Sequence, residues 1–290
     1  MTRIRVCCIA LFFFGSAITR PQADHINIKS GTAVVILYSK HKAVFAAESR
    51  IVQMGKNSGH RDDACKVRAP ENRFIFVSAG INGWEPEPGG SGWSAYDEPG
   101  KLVELIPDTA DDPVTFLAQL WGEAVQQHLN RALTVNPAPL MRFLDREASE
   151  TLNTAMFAGR TKQGEFVMVG VNLSCDCVAT PKRAVLKILR EPLPDESQTI
   201  AYGMKPVAPL VKEMIEGNSE RARTSMQKFE ADHPGVKPSE VLGLTAVGTI
   251  EFVRDYAQSE YIGGPVDAVE MRSNGDIRWI QRKANCPDQR

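Results

Sequence analysis

The chain has 290 residues, of which 43% are hydrophobic and 24% charged, with a formal net charge of −1. This length carries one large core or two modest ones. The balanced charge offers no basic face and argues against a nucleic-acid partner, and 22 Gly and 18 Pro exclude a collagen-like or low-complexity chain.

Arg3 and Arg5 precede an apolar run at residues 6–17 that includes Phe12, Phe13 and Phe14. A short basic stretch before an apolar run of this length reads as a secretory signal peptide, with cleavage after Ala17 or Ala23. The run is too short to span a bilayer. The alternative is an uncleaved hydrophobic anchor. The organisation expected is a leader over residues 1–23, a propeptide over 24–31 and one domain over 32–290, exported to the periplasm or secreted.

Residues 32–38 form an apolar, β-branched run, residues 39–42 a polar turn, and residues 43–48 a returning strand. Together they predict a hairpin. Residues 51–64 are polar and read as a connection. Short strands are predicted at 65–67 and 74–77. Residues 82–100, rich in Gly, Pro and acid, read as a surface loop. Asp112 before Pro113 predicts a helix start. Val114, Leu117, Trp121, Ala124 and His128 follow at spacings of three and four, which gives an amphipathic helix with a packed histidine. A second helix carries Leu140, Phe143, Leu144, Ala148 and Leu152. Strands are then predicted at 154–159, 165–172, 184–189 and 199–203. Helices follow at about 207–216, 219–231 and 239–256. A final hairpin turns at Asn274-Gly275, a strong hairpin signal. This order predicts an α+β, four-layer αββα sandwich, with two antiparallel sheets between helix layers.

Cys7 and Cys8 would leave with the leader, so Cys65, Cys175, Cys177 and Cys286 remain. Three pairings are open to them in an exported protein. A bond between Cys175 and Cys177 would be strained, and no second Cys/His pair supports a metal site. Free or structural thiols are the expectation. The five histidines stand outside metal motifs, and His60-Arg61-Asp62-Asp63 reads as a solvated loop. No Gly-x-Ser-x-Gly elbow and no Gly-rich phosphate loop is present.

Gly31-Thr32 stands immediately before the first strand. A threonine hydroxyl becomes a nucleophile when a base takes its proton, and a free α-amine on the same residue can be that base. The amine exists only after the bond before Thr32 is cut. Gly31 lets that peptide adopt a strained turn, open to attack by the Thr32 hydroxyl.

The hairpin ends in Ala46-Ala47-Glu48-Ser49-Arg50, with the acid sixteen residues after Thr32. Lys66-Val67 opens a later strand, and Ala79-Gly80 lies fourteen residues beyond the lysine. In order and spacing these motifs resemble the proteasome-type N-terminal nucleophile hydrolases, both the 20S β-subunit and HslV-like forms. The likeness covers nearly all of residues 31–282. It extends to residues 199–204 and to the late strand after Gly263-Gly264. It implies that Thr32 Oγ is the nucleophile, that Lys66 lowers its pKa, that Glu48 orients Lys66, and that the Gly80 N–H faces the developing oxyanion. It also implies a peptide or small amide as substrate, no metal or cofactor, and leaves a homo-oligomer open.

The chain departs from the family's pattern in four places. Glu48 replaces an aspartate, Ile262 a serine before the Gly-Gly pair, Ser259 another aspartate, and Met204 a serine after Gly203. Strand register points Glu260 away from the lost carboxylate's place. Two other readings stand beside the threonine hydrolase. One is a non-catalytic member of the fold acting as a scaffold or binding protein, with Glu48 and Lys66 a structural ion pair. The other is an amidase of the acylase kind acting on small amides.

Overall fold

The computed structural model describes residues 27–54, 59–85, 92–203, 205–236, 238–284 and 286. The expected leader, residues 24–26 of the expected propeptide, residues 86–91 and Met204 lie outside the described residues. The N-terminal half contains β1 (Asn27–Ser30), β2 (Ala33–Tyr38), β3 (Lys42–Glu48), β4 (Ile51–Met54), β5 (Gly59–Arg61), β6 (Val67–Arg68), β7 (Ile75–Glu85) and β8 (Trp93–Ser94). Helices α1 (Glu98–Leu102), α2 (Pro113–Val135) and α3 (Ala138–Glu147) follow, then β9 (Thr151–Arg160), β10 (Phe166–Asp176), β11 (Arg183–Arg190) and β12 (Gln198–Gly203). Helices α4 (Val207–Glu216), α5 (Glu220–Asp232) and α6 (Pro238–Tyr256) precede the closing strands β13 (Val266–Arg272) and β14 (Ile277–Gln281). Among the described residues no helix is long and apolar enough to cross a membrane.

The strands form two antiparallel sheets. The larger runs β11-β10-β9-β7-β1-β4-β5, with β6 and β8 also on β7, and the smaller runs β12-β2-β3-β13-β14. Strand periodicity explains how they stack. In β2, Val34, Ile36 and Tyr38 face the other sheet, while Ala33, Val35 and Leu37 face helices α4 and α6. Phe45 and Ala47 of β3 also point between the sheets, where they meet Ile75, Val77, Met156 and Met168 of the larger sheet. A strand buried on both faces needs a continuous apolar run, and residues 33–38 supply one. The outer face of the larger sheet packs under α2 and α3 through Leu117, Trp121, Val125 and Phe143. The result is the expected αββα sandwich with three apolar layers.

Local signals explain most elements. The Asp112 carboxylate accepts from the Thr115 N–H at 3.0 Å and caps α2, with Pro113 in its first turn. Val114, Leu117 and Trp121 of the α2 stripe are buried, Ala124 and His128 are half-buried, and the His128 ring stacks on Trp93 at 4.6 Å. The Asn274-Gly275 hairpin joins β13 and β14.

Several expectations are corrected. Residues 51–64 contain two strands, β4 and β5, at the edge of the larger sheet. Leu152 lies in β9, because Ala148 adopts a left-handed conformation (φ 48°) that closes α3. Most of the described 82–100 segment is interior: Trp84, Trp93, Ala95 and Tyr96 are buried. The cysteines are paired, Cys65 with Cys286 and Cys175 with Cys177. Their Cα–Cα distances of 5.5 and 5.1 Å lie within disulfide reach.

Strand β1 was not expected. Residues 27–30, inside the expected propeptide, form an interior strand paired on both sides: Ile28 opposes Met54 in β4 and Trp84 in β7. Among the described residues, strands β4 and β5 pair into the sheet only through β1. Ile28 is fully buried against the Trp84–Trp93 cluster. Ile28→Ala is therefore expected to lower the unfolding free energy by about 2–5 kcal/mol in urea denaturation. A loss below about 0.5 kcal/mol, the size of an ordinary surface substitution, would place β1 outside the core.

Candidate active site

Gly31 and Thr32 carry the chain from β1 in one sheet to β2 in the other. Gly31 has φ +112°, and a Cβ there would stand 3.0 Å from the Tyr261 carbonyl oxygen. The crossing therefore requires glycine. Thr32 is fully buried, and its Oγ1 lies 3.0 Å from the Tyr96 hydroxyl.

Glu48 ends β3 directly beside this crossing. Its Oε1 accepts from the Ala33 N–H at 2.9 Å and from Lys66 Nζ at 2.8 Å. Its Oε2 accepts from the Arg50 N–H at 2.6 Å and the Gly263 N–H at 3.1 Å. The carboxylate is fully buried and has four donors, the condition under which a buried charge is tolerated. Lys66 is equally buried and also donates to the Arg50 carbonyl. One oxygen thus joins the Lys66 ammonium to the amide that follows Thr32.

The rest of the Glu48-Ser49-Arg50 motif braces this pair. Arg50 holds Asp62 through two bonds of 2.7 and 2.8 Å, and Ser49 Oγ donates to the Asp62 carbonyl at 2.8 Å. The Arg50 guanidinium pulls the Asp62 pKa below its ordinary value. Asp62 is therefore tied to the site rather than free in a solvated loop. Among the described residues no three His, Cys, Asp or Glu side chains gather as a metal site.

Gly80 lies in β7 opposite Asn153, beside Ile81, the cross-strand partner of Ser30. Its φ is +102°, and a Cβ would sit 2.6 Å from the Leu152 carbonyl oxygen, so this position also requires glycine. The Asn82 side chain donates to the Gly80 carbonyl at 3.0 Å, and Asn153 donates to the Ile81 carbonyl at 2.8 Å. These amides fix the β7 backbone that runs beside the crossing.

Thr32, Glu48, Lys66 and Gly80 thus fall around one crossing point, with Glu48 and Lys66 in direct contact. Sequence reasoning missed Tyr96, the Asn82–Asn153 pair and the Gly263 N–H. Tyr96 lay in a segment whose Gly and Pro content masked it; the isolated aromatics among those residues were the available signal. Ile262, standing where the family pattern has serine, is buried in the sheet–helix core. Glu260 is exposed in a turn and supplies no carboxylate to the site; its backbone carbonyl accepts from Arg50 at 3.4 Å.

No family model matches the chain, and no curated protein does. Among solved structures it is similar to the Anbu (Gly-1) mutant from Hyphomicrobium sp. strain MC1, at 15% identity over 86% of each chain and a TM-score of 0.44. A likeness this loose carries no argument about chemistry.

Burial pushes the Lys66 pKa down to about 8, against the opposing pull of Glu48. Below that pH, folded and unfolded chains both hold the proton, and the folded state bears the full cost of the buried charge. Between about 8 and the ordinary lysine value of 10.5, only the unfolded chain holds it. Unfolding free energy should therefore rise with pH across this window. Denaturant titrations are expected to show that slope in the wild type and a smaller one in Lys66→Met, where Lys283, also held below its ordinary value by burial, still contributes. At neutral pH, Glu48→Gln strands the Lys66 charge and is expected to cost about 3–5 kcal/mol.

Proposed function

We propose that the chain is an exported N-terminal threonine hydrolase of the proteasome type, cleaving amide or peptide bonds after cutting itself at Gly31-Thr32. The observation that carries this reading is the Glu48 oxygen shared by Lys66 and the Ala33 N–H. It sets a buried cation beside the one threonine that follows a glycine at the sheet crossing. Thr32 Oγ would add to the Gly31 carbonyl carbon. The bond to the Thr32 nitrogen then breaks, and the hydroxyl proton passes to the departing amine. Water hydrolyses the resulting ester, leaving a carboxyl on Gly31 and a free amine on Thr32.

In turnover this amine takes the hydroxyl proton, while charged Lys66 lowers the hydroxyl's pKa. An acyl ester forms on Thr32 and is released to water. The Gly80 N–H stabilises the oxyanion, a contact whose loss costs roughly 2.7–4 kcal/mol in acyl-transfer enzymes. These steps call on no cofactor. A homo-oligomer fits the same reading.

A second reading is favoured by β1 and Tyr96. A strand paired on both sides and a threonine hydroxyl capped by a buried phenol also fit an uncut scaffold or binding protein. N-terminal sequencing and intact mass of the protein from its native host separate the two. The hydrolase reading predicts a chain that starts at Thr32, and a Thr32→Ala chain that stays joined. A wild-type chain still continuous through Gly31-Thr32 after prolonged incubation leaves only the scaffold.

A further inference from the structure

Lys66 sits on an irregular segment that Arg50 and Ser49 brace on one side through Asp62. Residues 62–66 form no strand; they link β5 to β6. Along this link the Ala64 N–H donates to the Ser49 carbonyl at 3.3 Å. A second brace comes from the far end of the chain. Beyond β14, Lys283 Nζ donates to the Ala64 carbonyl, two residues before Lys66. The same ammonium meets Asp267 Oδ2 at 2.7 Å, while the Lys283 N–H donates to Asp267 Oδ1 at 2.9 Å. Both side chains are buried, at 6% and 1% exposure. Asp267 is on β13 opposite Ala47, the neighbour of Glu48. Three residues past Lys283, Cys286 is bonded to Cys65, the residue directly before Lys66.

We propose that Lys283, locked in place by the Cys65–Cys286 bond, is a positioning residue that holds Lys66 on Glu48. Two contacts from one tail grip the backbone immediately ahead of the lysine, and the third grips the strand beside its carboxylate. The consequence for self-cleavage rests on the function proposed above; the positioning itself does not. The charges facing Lys66 are Glu48, Asp62 and Lys283, and those facing Lys283 are Asp267, Glu48 and Arg68. Burial is the main reason the Lys66 pKa is lowered, Glu48 opposes it, and the second cation adds a smaller push in the direction of burial. The clamp is also redox-dependent. A dithiol reductant breaks the Cys65–Cys286 bond, leaves two thiols there, and is itself oxidised to a disulfide; it acts on Cys175–Cys177 in the same way.

The test follows the Lys66 side-chain amine by NMR titration, together with the rate of the Gly31-Thr32 cut, in the full chain. Lys283→Met/Asp267→Leu removes both buried charges at similar volume, so neither partner is stranded. Its Lys66 ammonium resonance is expected to lose the shift that contact with Glu48 gives it, and the cut to slow by on the order of ten-fold. Lys283→Arg should restore both towards wild type. Treating a folded Cys175→Ala/Cys177→Ala chain with dithiothreitol, which there acts on Cys65–Cys286, covers the case in which the double variant does not fold, and should shift the Lys66 resonance. A resonance unchanged by both treatments would overturn the proposal. A wild-type chain that never cuts would end the hydrolase reading and leave the titration to decide the positioning.

Discussion

The structure around the sheet crossing depends on one buried carboxylate. Glu48 accepts from β2, from its own strand's exit, from the turn before β13 and from Lys66. An uncompensated charge in such a place would cost several kcal/mol. Four donors from four segments offset that cost, and in doing so they fix those segments relative to one another. Glutamate reaches one methylene further than the aspartate of the family pattern. Here that reach ends on three backbone N–H groups and an ammonium, so the longer side chain is fully satisfied.

The sequence made the hairpin of β2 and β3 legible, because a strand with two buried faces needs an unbroken apolar run and residues 33–38 form one. The same holds for α2, whose cap, first-turn proline and apolar stripe all agree. The αββα layering followed from the order of such elements. The candidate site was legible only in part. Glu48 and Lys66 are far apart in the chain, and their contact came from spacing compared with a family pattern, not from any local signal. Tyr96 carried only the signal of an isolated aromatic, since burial there is decided by Trp84, Trp93 and α2 closing over a Gly- and Pro-rich segment.

Other misses have equally specific causes. Residues 27–30 read Asn-Ile-Lys-Ser, too short and too polar to announce a strand; pairing on both sides, not propensity, makes them one. Leu152 kept the helical spacing of α3, and only the left-handed turn at Ala148 breaks it, at a residue type that gives no warning. The pairing of Cys65 with Cys286 spans 221 residues of sequence and depends on how the last strand returns to the sheet. No spacing rule reaches that far.

The position of β1 bears on what a broken bond at Gly31 would mean. A nick there leaves a separate short peptide inside a sheet, with β4 and β5 attached through it. Such a fragment does not dissociate like a surface ligand. It leaves when the β4–β5 ribbon opens, so its lifetime is that of a local unfolding event. Before the nick, its return is intramolecular and fast. Once it has diffused away, re-entry is bimolecular, at the dilute concentration of a lost fragment. Bond cleavage and access to Thr32 thereby become two separate events, the first chemical and the second conformational.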